Sequence, residues 1–425
     1  MTAASPGRVT ERAIDVIGSW ATIVAMSHSI LRVIAPDPQQ HGNEVVELCA
    51  KTFNPYFDRR KDLKNWYLIN SHYDWKTSAI GLMDAQIVTH YGVWDYQMRI
   101  GSAVVRCGGI GTVATHGDFR KQGLMAQTIP VSLRAMRQAG YDMTILFGIV
   151  DFYHRFNYVR AWNEVKWLIN RDQLPANLSA VKTEAFDGAP RADIASLHNR
   201  QNATVTGSAV RPTYAAHGYV FSPIEGRLWR DAKGELAGHV VVSAANGRVV
   251  CHESTGPADE ILGVLKQFAD EKQMREISFE TAPCNSPVLR RVRQCDCRRE
   301  QSYVKSGAAM VQCLNLGSCL GKMAGELSGR LQGSELADYT GDLTITGCDA
   351  TVGLTIGGGK VSLAAKPAGR STISGGHEVA QLLIGTDQPD EICEAGKMRL
   401  IGDAARLVPV LFPNQHPQLH LLDRY

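Results

Sequence analysis

The chain has 425 residues, 44% of them hydrophobic and 20% charged, with a formal net charge of +3. Such a length exceeds a single core and predicts about three domains, and the composition is that of a folded globular protein rather than a disordered one. No Lys/Arg-rich block is present to neutralise a phosphate backbone, which argues against nucleic acid as partner, and no run of about 18 apolar residues predicts a membrane span.

Residues 1–30 read as an N-terminal extension, because regular patterning begins at "LRVIAP" (31–36), and Met26 is an alternative start. Segment 13–26 imitates a secretory core, but Asp15 interrupts it and no clear cleavage site follows, so a cytoplasmic location is expected. The 10 cysteines are scattered, with Cys295 and Cys297 as the close pair and Cys284 upstream. A zinc site usually needs a second pair, so reduced thiols and no metal are expected.

From residue 31 the pattern predicts a short strand, a helix over about 42–52, and an aromatic segment holding Phe53, Tyr56, Phe57, Trp66 and Tyr67. Strand-like runs follow at "SAIGLMD", "QIVTHYGVW", "YQMRIGSAVVRC" and "GGIGTVAT". Ala126, Ile129, Leu133 and Met136 then recur at helical spacing up to Gly140, with Pro130 expected to kink the helix. A buried strand at 142–150 and a short helix or turn at "DFYHRFNY" close a first unit, 31–165. A second unit, 166–302, repeats this order of elements, with a strand meander, an amphipathic helix at "DEILGVLKQFADEKQ" and a closing strand. A third, 303–425, opens with an apolar helix-like stretch at 308–332, continues in alternating strands, and ends in a helix and the tail "LVPVLFPNQHPQLHLLDRY".

The chemistry concentrates at "HGDFRKQGLMAQTI" (116–129), where Arg120, Lys121 and Gly123 stand at the mouth of a helix. Free N–H groups and the helix dipole make such a mouth an anion site, phosphates above all. Gly123 would admit a ligand to the backbone, and the two cations would add charge, so a diphosphate fits; a solvated turn with two surface cations is the plainer reading. The nucleoside-triphosphate loop needs Gly-Lys-Ser/Thr, whereas Gly123-Leu124-Met125 stands here. Gly109-x-Gly111-x-x-Ala114 matches a dinucleotide fingerprint in letters but runs into a strand, with no acidic residue about 20 positions on.

Strand, Arg-x-x-Gly, helix, strand and a Tyr-bearing turn together resemble the GNAT acetyltransferases. The family's Arg/Gln-x-x-Gly-x-Gly/Ala is matched through Leu124 and departs at Met125. "VATHGDFRKQGL", "YHRFNY" and the terminal "LFPNQHP...DRY" extend the resemblance to the Eis-like (enhanced intracellular survival) branch. It implies an α/β (α+β) fold: two tandem GNAT-like domains with mixed central sheets, the second degenerate, plus a sterol-carrier-protein-like α+β domain whose tail ends in the active site. It further implies an acetyl-CoA-dependent N-acetyltransferase, cytoplasmic and hexameric, acting on a small-molecule or peptide amine.

By the same resemblance, Val113 and Thr115 offer backbone groups to the pantetheine arm, while Arg120, Lys121, Gln122, Gly123, Leu124 and Met125 surround the diphosphate. Tyr153, heading "YHRFNY", is the general acid. A phenol with a pKa of about 10 keeps its proton at neutral pH and can give it to a leaving thiolate; an aromatic packed in the core is the alternative, and the natural reading of Tyr158. The carboxylate of Tyr425 would assist deprotonation of the amine. His116 and His154 lie near enough in sequence to tempt as bases. Tyr56, Phe57, Trp66, Thr112 and Arg424 are the acceptor-side candidates. Members that acetylate aminoglycosides carry acidic groups where Tyr56 and Arg424 stand, which weakens the case for a polycationic acceptor. The third unit reads as a lid, with lipid transport as rival role, and an acyl-CoA sensor or lipid carrier is the competing class for the whole chain.

Overall fold

The computed structural model describes residues 30–53, 63–64, 67–68, 72–178, 181–186, 191–212 and 225–424. The sequence readings on segment 13–26, Met26, Tyr56, Phe57, Trp66 and Tyr425 lie outside the described residues.

The first part of the chain gives β1 (Arg32–Ile34), α1 (Pro38–Phe53), β2 (Ala79–Met83), β3 (Gln86–Ile100), β4 (Ala103–Thr115), α2 (Leu124–Gln138), β5 (Met143–Gly148) and β6 (Val159–Arg160). The separate runs read from the sequence merge into the long β3–β4 hairpin, which turns at Gly101 with φ 56°. Helix α2 continues through Pro130, which lies on its exposed side. Its inner side carries Met125, Ile129, Leu133 and Met136 into a cluster with Tyr91, Val93 and Leu146, the amphipathic arrangement that the spacing predicts.

The second part gives β7 (Glu164–Asn170), β8 (Thr183–Phe186), α3 (Ala192–Gln201), β9 (Ala209–Val210), β10 (Glu225–Arg230), β11 (Leu236–Ala245), β12 (Arg248–Thr255), α4 (Ala258–Glu271), β13 (Glu276–Phe279), α5 (Pro287–Val292) and β14 (Cys297–Ser302). The third gives β15 (Ala308–Cys313), α6 (Leu316–Gln332), β16 (Gly341–Gly347), β17 (Ala350–Gly357), β18 (Lys360–Leu363), β19 (Thr372–Ser374), α7 (Val379–Ile384), α8 (Pro389–Ala395), β20 (Arg399–Ile401) and α9 (Ala404–Leu411).

The architecture is mixed α/β, with strand orders β1-β2-β3-β4-β5-β15-β6, β14-β7-β13-β12-β11-β10-β8 and β18-β17-β16-β19-β20, and with β9 pairing β3. Each sheet is antiparallel except for one parallel pairing: β4 with β5, β12 with β13, and β16 with β19. Among the described residues no helix is long and apolar enough to cross a membrane.

One reading needs correction. The stretch 308–332 is not a single helix: Ala308–Cys313 is a strand inserted between β5 and β6 of the first sheet, and the helix begins at Leu316. Buried on both faces, the strand shows no alternation by which sequence could separate it from the helix that follows. Its placement ties the third part to the first. A single apolar cluster runs from Met98, Val105 and Ile145 through Leu320, Met323 and Leu327 of α6 to Leu343 and Leu407. The second sheet keeps its own core, around Val240, Val249, Ile261, Leu265 and Ile277.

Candidate functional site

The site is built where β4 outruns its neighbour. Parallel pairing with β5 covers Cys107–Met143 to Ile110–Leu146 and then stops, while β4 continues to Thr115 against β3. Among the described residues, the stretch from Gly111 to Thr115 therefore has one edge without a strand partner, and polar main-chain groups on such an edge are available to an extended ligand. Within it the register shifts: His90 faces Ala114 and Gly92 faces Gly111, so Tyr91 alone opposes Thr112 and Val113. Thr112, at the resulting bulge, holds φ 44°.

His116 closes the hairpin by donating its N–H to the Val88 carbonyl at 2.8 Å, and the chain then turns through a short 3-10 segment, Gly117–Phe119, into α2. Lys121 (φ 64°) and Gly123 (φ 75°) are both left-handed. Tight turns of this kind form anion-binding concavities. Gly123 is the N-cap of α2, and among the described residues no side chain caps it and a Cβ there would meet nothing within 4 Å. Arg120, Lys121 and Gln122 are exposed around this opening. Arg120 donates from Nε to the Thr115 carbonyl (3.3 Å), and Gln122 from Nε2 to that of Asp118 (3.3 Å). Leu124 and Met125 are buried, and the Met125 side chain belongs to the core under the helix. It is turned away from the space that a phosphate would need.

Tyr153 begins the 3-10 turn after β5. Its ring lies against Gly148, whose imagined Cβ would come within 2.8 Å of Tyr153 Cδ2, and against Phe152 and Tyr158. Its hydroxyl makes no hydrogen bond with a described residue. Burial pushes its pKa up from the ordinary phenol value, so the group holds its proton throughout the neutral range and can act as an acid, not as a base. Tyr158 behaves differently: its hydroxyl meets Tyr91 (2.9 Å) and Thr144 (3.0 Å) in the core. His154 is exposed. His116 stacks edge-on with Phe119 and stands 3.8 Å from Asp118.

The tail returns to the same end of β5. The Arg424 guanidinium lies 4.1 Å above the Phe147 ring, on the face opposite Leu146 and Tyr153. With Trp162, Glu164, Glu280 and Gln418 it lines a cavity of about 70 Å³. Behind it, Asp423 is held by Arg211, Nε to Oδ1 at 2.7 Å and a second bond at 3.0 Å, while Arg211 also grips Glu253 with two bonds of 2.7 Å. All three are buried. Burial would raise the Glu253 pKa, but the Arg211 charge and its two bonds reverse this and keep the carboxylate ionised. His198, His239 and His420 surround the group. Sequence reading missed this clamp, since nothing in the spacing of residues 211, 253 and 423 announces that they meet.

Equally unannounced is a cluster beneath the bulge. His90 contacts the Thr112 carbonyl through Nδ1 (2.9 Å) and the Tyr73 hydroxyl through Nε2 (2.8 Å). The Tyr67 hydroxyl bonds the Thr112 hydroxyl and reaches Cys49 Sγ at 3.4 Å. Among the described residues no group of three or more His, Cys, Asp or Glu is arranged to hold a metal ion, and all 10 cysteines are free.

Residues 39–161 match the family described as the acetyltransferase (GNAT) domain. This segment is an acetyltransferase domain. The chemistry common to such domains is transfer of an acyl group from acyl-CoA to an amine, and the bulge, the turn and Tyr153 all lie within its limits. No functionally curated protein matches the sequence. Solved structures resemble nearly the whole chain: a GCN5-related N-acetyltransferase from Kribbella flavida (17% identity, TM-score 0.68, 93% of this chain and 100% of that one), another from Anabaena variabilis ATCC 29413 (12%, 0.69, 92% and 99%), and Eis1 from Mycobacterium abscessus (12%, 0.63, 90% and 97%). At these identities the likeness is one of fold, and it extends through all three sheets.

Proposed function

We propose that the protein transfers an acetyl group from acetyl-CoA to a primary amine by direct attack on the thioester, in the manner of the Eis-like enzymes. The observation that carries this reading is the uncapped mouth of α2: open space at Gly123, exposed cations at Arg120 and Lys121, and a core-facing Met125 leave main-chain donors free for a diphosphate. The unpaired edge from Gly111 to Thr115 leads away from that mouth and suits a pantetheine arm, with Val113 and Thr115 supplying the strand-like contacts. Acetyl-CoA, when bound, supplies the activated acyl group.

In this reading the amine nitrogen bonds to the carbonyl carbon as the C–S bond breaks. Tyr153 gives its phenolic proton to the departing sulfur and is reprotonated from solvent, to which the new amide nitrogen loses its own proton. Thr112 and Arg424 stand on the acceptor side. The second sheet shapes the acceptor cleft, and the sterol-carrier-like third part carries the tail.

Release of free thiol from acetyl-CoA across a panel of amines, with the mass increment of each product, tests the reading. Tyr153→Phe is expected to lower kcat about a hundredfold, within the range for loss of a general acid, and to leave acetyl-CoA affinity unchanged. A wild-type protein that releases no thiol and instead retains a hydrophobic ligand through gel filtration would be a lipid carrier.

A further inference from the structure

We propose that His90 is a positioning residue for acyl transfer: through the Thr112 carbonyl it fixes the bulge of β4 at the open end of the β4–β5 slot. The inference rests on the acyl-transfer reading of that slot and adds to it the device that sets the slot's shape.

The starting point is a strained residue. Thr112 is β-branched and left-handed, with φ 44°, a conformation costing on the order of 1–2 kcal/mol that persists only where the surroundings over-determine it. Here three groups do so from beneath. His90 Nδ1 lies 2.9 Å from the Thr112 carbonyl, Cys49 Sγ lies 3.8 Å from the same oxygen, and the Tyr67 hydroxyl holds the threonine hydroxyl. His90, Cys49, Tyr67 and Tyr73 are all buried. The bulge begins where pairing with β5 has just ended at Ile110, and it directly precedes Val113. Whatever direction the free main-chain groups there take is set by the Thr112 peptide.

The protonation pattern follows from the partners. Burial pushes the His90 pKa down to about 4, against the Thr112 bond that raises it, so the ring is neutral at pH 7. A carbonyl oxygen only accepts, so Nδ1, 2.9 Å from that oxygen and 3.5 Å from Cys49 Sγ, carries the hydrogen and gives it to the nearer, stronger acceptor; Nε2 is then a bare lone pair, and the Tyr73 hydroxyl donates to it at 2.8 Å. The relay Tyr73 O–H to Nε2 and Nδ1–H to the Thr112 carbonyl locks one tautomer. Tyr73 is itself wedged among Tyr67, Trp75 and Trp94. A histidine that merely filled space would not need both nitrogens engaged in opposite senses.

Two near-isosteres separate positioning from packing. The asparagine amide nitrogen falls close to Nδ1 and can still donate to Thr112; the glutamine side chain reaches the position of Nε2 and loses that bond. We expect His90→Gln to lower kcat about tenfold, with KM for acetyl-CoA within twofold, and His90→Asn to keep kcat within threefold of the wild type, although both lower Tm. Equal losses of kcat in the two variants, or no loss in either, would overturn the proposal. Ring 15N shifts of the unaltered protein provide a second test that needs no variant to fold: Nδ1–H supports the lock, and Nε2–H rejects it. Should the wild type transfer no acetyl group, it is the functional reading that fails, and the tautomer still reports on the bulge.

Discussion

The first and second sheets run the same course and differ at one helix mouth. In each, a bulged antiparallel hairpin leads through a helix to a strand that pairs in parallel over four positions, Cys107–Ile110 with Met143–Leu146 and Arg248–Cys251 with Glu276–Phe279. Between β4 and α2 the chain spends residues 116–123 on an exposed turn with two left-handed residues and two cations. Between β12 and α4 it has Gly256 and Pro257 alone. Helix α4 then carries Asp259 and Glu260 in its first turn; Asp259 is bonded to Arg291 (2.7 Å) and Glu260 to Trp229 Nε1 (2.6 Å). Carboxylates of the chain itself complement the positive end of that dipole. The topology is thus common property, and the open, cation-flanked helix mouth on which the proposed anion site rests is confined to one loop.

Three experiments press on this contrast. The largest effect is expected from Gly123→Glu, which plants in α2 the charge that α4 already owns. Acetyl-CoA affinity should fall about a hundredfold by calorimetry, about 2.7 kcal/mol, whereas the left-handed backbone adds about 1–2 kcal/mol of instability. Retained affinity would remove the helix mouth from the site.

Acid should come next, and it acts on both regions. His90 under the bulge and His420 beside the Arg211 clamp are each pushed down to about 4, His90 by burial and His420 by burial with help from His198. An unfolded histidine titrates at about 6.5. Above that pH both states are neutral and nothing is lost; below it the unfolded chain takes up protons that the folded one refuses. Stability should therefore be intact above about pH 6.5 and decline toward pH 4, at up to about 1.4 kcal/mol per pH unit for each histidine. Replacing His420 with Gln should flatten the decline of Tm with acid. An unchanged slope would place the acid sensitivity elsewhere.

The smallest effect is expected from Glu260→Gln. Loss of a charge-assisted bond to Trp229 and of a favourable dipole partner should lower stability by about 1 kcal/mol in a urea melt. Acetyl-CoA affinity should not change; if it rose, the second mouth would be a latent ligand site and the contrast would dissolve.

What could be read from the sequence follows from the range of the interactions involved. The helix mouth was legible because a turn, two cations, a glycine and a 3.6-residue apolar period all lie within 116–136. The repeated order of the second sheet was legible for the same reason. Strand β15 was not, since insertion into a sheet built some 160 residues earlier leaves no local trace in a run buried on both faces. Nor were the supports of the site. His90, Tyr67 and Cys49 reach Thr112 from separate elements with Tyr73 behind His90, and Arg211 bonds both Glu253, 42 residues on, and Asp423, 212 residues on. Met125, a departure from the family's small residue, is explained by its place in the core, which a motif cannot display.

The inserted strand also dictates an order of assembly. As the nascent chain emerges, β5 and β6 are made early, but the strand that belongs between them appears only after the whole second sheet has been synthesised. Until then the first sheet has an open seam with unpaired N–H and C=O groups, the state in which a strand edge is most prone to wrong partners. The ribosome thus delivers the second sheet before the strand that completes the first, and the acetyltransferase domain matures late, by stitching in a piece of chain that follows it.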